Sequence, residues 1–102
     1  MGIAMIVTSK AQPGKRGDIH QLWLDMLAPL AEANDGQQVV VWCNDQADAD
    51  TFHLFEIYAS PEAMGANAQS PAFAEYMQAA MPMLAGEPSV SMGEPAWSKG
   101  LA

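Results

Sequence analysis

An α+β domain with the element order β-α-β-β-α-β is predicted by three observations. Two β-type runs flank the polar turn 44–50 and read as a hairpin. An apolar stripe at helical spacing precedes that hairpin. Two Ser-Pro pairs, 60–61 and 70–71, follow it and open helices. At 102 residues, the chain 1–102 is read as one domain with one core.

The elements follow in order. Ile3 to Lys10 (IAMIVTSK) is a β-type run, ended by Gln12-Pro13-Gly14. Ile19, Leu22, Trp23, Met26, Leu27 and Leu30 then form one helical stripe. Pro29 lacks the N–H that would reach the Asp25 carbonyl, so the helix is expected to kink or stop there. Asn34-Asp35-Gly36 is its exit. Gln38 to Cys43 is a second strand with three valines in a row, and Thr51 to Ala59 is a third. Ser60 caps a first helix, with Pro61 at its first position. Ser70-Pro71 opens the main one, with Phe73, Tyr76, Met77, Ala80 and Leu84 on one face and Gly86 at its end. Pro88 to Gly93 is a short fourth strand, and the tail after Glu94-Pro95 is irregular.

This order is the split βαβ, or ferredoxin-like, arrangement: a four-stranded antiparallel sheet with the helices on one face. The third strand has two largely apolar sides. Phe52, Leu54, Glu56 and Tyr58 lie on one, and His53, Phe55 and Ile57 on the other. Helices cover only one face, so a second copy is expected to cover the other as a sheet-to-sheet homodimer.

Composition narrows the partners. Charged residues make up 16% of the chain, below the usual quarter, and 12 acidic residues face 4 basic ones for a net charge of −8. Nucleic acid requires clustered Lys and Arg, and Lys10, Lys15 and Arg16 are too few. The same field disfavours anionic membranes and polyanionic substrates. No apolar run of ~18 residues exists to span a bilayer. Cys43 is alone, which excludes an internal disulfide and a thiol–metal site within the chain. No basic flank and apolar run marks a signal peptide, so a cytoplasmic location is expected.

Several pieces, spread over nearly the whole chain, then point to a known family. They are Pro13-Gly14-Lys15 before the first helix and Gly36 before the second strand. Thr51 to Tyr58 (TFHLFEIY) is similar to an F-x-L-F-E-x-[WY] strand. Glu62-Ala63 with Ser70-Pro71-Ala72-Phe73 matches an E-A-x-x-x-H-x-x-S-P-x-F stretch. In this order and spacing the chain resembles the antibiotic biosynthesis monooxygenase (ABM) domain. The resemblance implies the ferredoxin-like fold, a dimeric α/β barrel formed by packing sheet on sheet, and oxidation of a quinol, phenolic or polyketide-like aromatic compound without a cofactor. One position departs from the pattern: Asn67 stands where the family usually has His. Some polyketide-oxidising members use Asn and Trp side chains around this region, which would make Asn67 a functional variant. Haem-degrading relatives use a His on the second helix as iron ligand. Here Met77 stands near that place and no His follows His53, which argues against haem degradation.

Such chemistry needs a flat apolar pocket, a group that takes a proton, and exclusion of water. His53 is the candidate base, because its ordinary pKa lies near neutrality; the bland alternative is a half-buried strand histidine bonded to a neighbour. His20 sits beside the stripe and is expected to be exposed. Asn67 is a candidate donor to an oxyanion, against a capping role. Tyr76 offers a phenol to a ligand or to the core rim. Together His53, Asn67 and Tyr76 form the catalytic expectation. Glu56 is costly inside an apolar strand. It is either held by a hydrogen bond or ion pair across a dimer, with Lys10 or Arg16 as the candidate cations, or a buried base. Trp23, Phe55, Phe73 and Met77 are the candidate substrate contacts; Trp42, Phe52, Met5, Met26 and Met81 are further aromatic and Met candidates, with core packing the alternative for most. Asp45, Asp48 and Asp50 lack the spacing and Gly of a calcium loop and read as a solvated turn, and no metal site is expected.

The leading functional expectation is a small cofactor-independent monooxygenase acting on a quinol or phenolic compound. The alternatives are an isomerase or other enzyme on a small carbonyl metabolite, or a non-catalytic small-molecule binding protein. Whether His53 and Asn67 converge on one cavity separates the catalytic from the binding reading.

Overall fold

A computed structural model describes residues 2–100. The last two residues of the expected irregular tail lie outside that range. The elements are β1 (Ile3–Lys10), α1 (Arg16–Met26), α2 (Ala28–Ala33), β2 (Gln37–Asn44), β3 (Thr51–Tyr58), α3 (Pro61–Ala68), α4 (Pro71–Ala80), a 3₁₀ turn (Met81–Met83) and β4 (Ser89–Gly93). The sheet is antiparallel in the order β2-β3-β1-β4, the ferredoxin-like arrangement.

Local chemistry explains most boundaries. The Ser60 and Ser70 hydroxyls accept from the Ala63 and Phe73 amides at 3.1 and 3.2 Å, capping α3 and α4 as their Ser-Pro starts require. The Ser70 hydroxyl also donates to the Asn67 carbonyl at 2.9 Å, so it ties the end of α3 to the start of α4. The first helical stripe breaks earlier than expected. α1 ends at Met26, and Pro29 lies in the first turn of α2, where its missing N–H costs nothing. The main helix ends at Ala80, not at Gly86. Pro82 removes a helical donor, the chain tightens to a 3₁₀ turn, and Leu84 pairs with Ala11 in an isolated bridge. β3 stops at Tyr58, one residue short of expectation, and β4 excludes Pro88. Gly36 is dictated by crowding: a Cβ there would lie 2.7 Å from that of Ala63.

The core lies between the sheet and the helices. Ala11, Ile19, Leu27, Phe52, Tyr76 and Ala80 are its buried members. Trp42 stacks on Phe52 with ring centroids 4.3 Å apart and planes 4° apart, and Trp23 tilts against Trp42 at 5.8 Å. His20, expected at the exposed side, is half-buried with its ring edge-on to Trp42 at 4.5 Å. Pairing register sets the faces. Ile6 lies opposite Phe55, Val41 opposite Phe55, and Val39 opposite Ile57, so these side chains share the face away from the helices. Ile6, Val41 and Phe55 are exposed there.

The acidic turn is fixed by a set of hydrogen bonds within it and to neighbouring elements. Asp45 accepts from the Ala47 and Asp48 amides, Asp48 from the Asp50 amide, and Asp50 from the Gly14 amide. Lys10 pairs with Asp48 at 3.2 Å, and Arg16 donates to the Asp48 and Thr51 carbonyls. Among the described residues no cluster of ligating side chains is placed to hold a metal.

Candidate functional site

A cavity of about 370 Å³ lies between the sheet and the helices. Its walls are built element by element. β1 gives Met5 and Val7, α1 gives Trp23, β3 gives Phe52 and Leu54, and α4 gives Phe73, Tyr76 and Met77. Val90 and Met92 of β4 complete it at the open edge of the sheet, where both side chains are exposed. Among the described lining residues there is no Lys, Arg or His, and Glu56 is the one carboxylate.

One polar cluster interrupts the apolar wall. The Tyr58 hydroxyl donates to Glu56 Oε1 at 2.6 Å. Gln37 Nε2 donates to the same Oε1 at 2.8 Å and to the Tyr58 hydroxyl at 3.1 Å. Asn67 Nδ2 donates to the Tyr58 hydroxyl at 3.1 Å. Tyr58 is therefore the hub, donating once and accepting twice. Both bonds to the Glu56 carboxyl fall on Oε1; no described residue donates to Oε2. Burial pushes the Glu56 carboxyl above the ordinary carboxylate range, while the Tyr58 and Gln37 bonds pull it back. Burial and the Glu56 carboxylate hold the Tyr58 phenol well above its usual value. Tyr76 lines the opposite wall, and burial pushes its phenol up to about 12.

The structure brings together Asn67, Tyr76, Trp23, Phe73 and Met77, all lining this cavity. It does not bring His53 or Phe55 to it, so His53 and Asn67 do not converge on one cavity; the catalytic reading loses the histidine as its base, which favours the binding reading to that extent. His53 and Phe55 stand on the face away from the helices, because odd-numbered positions of β3 point opposite to Phe52, Leu54, Glu56 and Tyr58. His53 is held there by Thr8, with Oγ1 to Nδ1 at 3.0 Å, and by Asp45, with Oδ1 to Nε2 at 2.9 Å. That bond and two backbone donors hold the Asp45 carboxyl below the usual range. Among the described residues no cation pairs with Glu56; Lys10 and Arg16 are engaged at the acidic turn. Of the further Met candidates, Met5 lines the cavity, whereas Met26 does not and Met81 is exposed.

Gln37 and Tyr58 were not among the expected site residues. Their signal lay in the alternation: Tyr58 falls two positions after Glu56, on the same strand face, and a buried carboxylate requires donors.

The model of the family described as antibiotic biosynthesis monooxygenase matches residues 2–79. The chain belongs to this ABM family. The match covers β1 through most of α4, and so most of the cavity wall. Solved structures agree with it in fold. Rv0793 from Mycobacterium tuberculosis superposes with a TM-score of 0.84 at 24% identity, over 96% of this chain and 98% of that one. A Caulobacter crescentus protein, provisionally assigned as an antibiotic biosynthesis monooxygenase, gives 0.84 at 24% identity, over 89% and 86%. A Bacteroides thetaiotaomicron protein of unknown function, described as a possible oxidoreductase, gives 0.79 at 14% identity, over 90% and 95%. At these identities the likeness is one of fold. No curated protein matches this ABM chain.

Proposed function

We propose that this ABM chain is a small monooxygenase that oxidises an uncharged phenolic or quinol-type ring with molecular oxygen. The observation that carries the reading is a largely apolar, ring-sized cavity whose polar groups are concentrated in one cluster containing Asn67. In the simplest balanced form, a phenol and O₂ give a para-quinone and water. One oxygen atom enters the ring at a C–H carbon, and the other leaves as water with the displaced hydrogens. Trp23, Phe73 and Met77 hold the ring, and Asn67, with one Nδ2 hydrogen bound to Tyr58, offers its second to the substrate oxygen. The ABM resemblance supports a reaction that needs no metal or flavin.

Oxygen uptake with a panel of hydroxyarenes tests this, with isotopically labelled O₂ to follow the inserted atom. Wild type is expected to consume oxygen and label the product, and Asn67→Ala to lose about 10²-fold in rate, as for removal of one oxyanion donor. A panel that binds without uptake would make the chain a binding protein instead.

The apolar outer face, on which Ile6, Val41 and Phe55 are exposed, supports a sheet-to-sheet homodimer. Sedimentation at micromolar concentration is expected to give twice the chain mass. Val41→Lys should shift the population toward single chains, since the new charge would be buried in that interface. A wild-type monomer at that concentration would end this reading.

A further inference from the structure

We propose that Glu56 is the base of this cavity, and that it selects hydroxyarenes more acidic than tyrosine, those with an electron-withdrawing group conjugated to the hydroxyl. The inference rests on the phenol-oxidising reading above and names its substrate class. Glu56 is 7% exposed, lines the cavity, and presents Oε2 without a donor from any described residue. Its Oε1 is already filled by Tyr58 and Gln37, so the carboxyl is oriented and its second oxygen is the one left to take a proton. The other titratable groups on the cavity are Tyr58 of the same strand and Tyr76 from α4, and no cation faces it from the described elements.

The step is a proton transfer. The substrate O–H bond breaks, the proton goes to Glu56 Oε2, and the electron pair stays on the phenolate oxygen. The number of buried negative charges is unchanged, so the transfer does not add a second desolvated ion. Both Gln37 amide hydrogens are taken by Glu56 and Tyr58, so the donor on hand for the phenolate is the second amide hydrogen of Asn67. In water a carboxylic acid is stronger than a plain phenol by about 6 pK units, which makes this transfer steeply uphill. Burial raises the Glu56 carboxyl and, by the same desolvation, a phenol brought beside it, as it does Tyr58, whose hydroxyl sits 2.6 Å from that carboxyl. What closes the gap is the substrate's own acidity, so an acidified phenol is the one Glu56 ionises and a plain one keeps its proton. A ligand already ionised in bulk is turned away by the carboxylate and by the absence of a lining cation.

Anaerobic titration with 4-nitrophenol tests this, at a pH about one unit below that ligand's own pKa in water. The phenolate absorbs at longer wavelength than the neutral form. Bound ligand is expected to be mainly phenolate in wild type and at least tenfold less so in Glu56→Gln. Glu56→Asp, which keeps a carboxylate, should recover part of the signal, and 4-methylphenol should bind without ionising. Equal phenolate in wild type and Glu56→Gln, neutral bound ligand in wild type, or no binding would each overturn the assignment. Because oxygen is absent, the two readings fail separately. Phenolate formation in this titration, with no uptake by wild type across the hydroxyarene panel in air, keeps Glu56 as the base and ends the monooxygenase reading. Uptake that survives Glu56→Gln does the reverse.

Discussion

Phe52→Ala is expected to cost about 3–5 kcal/mol of folding stability, the range for emptying a buried aromatic site. Phe52 is 2% exposed and lies face to face with Trp42. It belongs to the one buried cluster that joins β3 to α1 and α4. Truncation removes the stack and enlarges a cavity already present beside it, and the walls on that side cannot close without moving both helices. A domain this small has about 5–15 kcal/mol in total, so the variant should lie near the threshold of folding. Thermal unfolding followed by circular dichroism should show a fall in Tm of roughly 15–30 °C. Phe52→Leu should recover more than half of it by refilling volume without the stack. A loss below about 1 kcal/mol for the alanine variant would mean that the Phe52–Trp42 pair is not part of the stabilising core.

Glu56→Gln is expected to change how stability depends on pH. The folded pKa of Glu56 is raised by burial above its unfolded value, with the Tyr58 and Gln37 bonds acting in the opposite direction. The folded state therefore keeps this proton after the unfolded chain has released it. The contribution is fully present below the ordinary Glu value of about 4.3, and it is lost as pH rises through the folded pKa. Asp45 and Asp48 act with the opposite sign. The first is lowered chiefly by His53 and the second by the Asp50 amide, so what they contribute is lost as pH falls. Subtracting the two proteins cancels those surface terms. Glutamine at 56 can still accept from Tyr58 and Gln37 through its amide oxygen. The stability of Glu56→Gln relative to wild type should thus rise from about pH 4 and level off above the folded pKa. Tyr58→Phe should move that window upward, since it removes the bond that lowers Glu56 most. It should also cost about 1–3 kcal/mol by stranding Gln37 and Asn67. Urea unfolding at a series of pH values gives these differences, and a curve for Glu56→Gln parallel to wild type from about pH 4 to 8 would contradict them.

Much of the fold is legible in the residues themselves. The stripe from Ile19 to Leu30, the two Ser-Pro starts and the hairpin around the acidic turn each carry a local cause, and each formed near its expected place. Boundaries that differed did so through proline. Pro29 was accommodated by starting a new helix, and Pro82 ended α4 ahead of Gly86. Asn67, Tyr76, Trp23, Phe73 and Met77 were legible because each falls on or beside a helix face directed at the sheet. His53 and Phe55 were not, for a reason specific to β3. Both of its faces are apolar, so alternation sorts the residues into two sets without saying which set meets the helices.

The sequence by itself determined the element order, the caps, the two residue sets of β3 and the presence of a carboxylate that had to find donors. These follow from spacing and from the chemistry of single side chains. Only the tertiary structure decided that Phe52, Leu54, Glu56 and Tyr58 face the cavity, that Gln37 from β2 and Asn67 from α3 close on Tyr58, and that His53 belongs to Thr8 and Asp45 on the other side. The physical reason is that a strand has no inside until another element packs on it. Once α1 and α4 cover one face of the sheet, the side of β3 that lines the cavity is the one carrying Glu56 and not the one carrying His53.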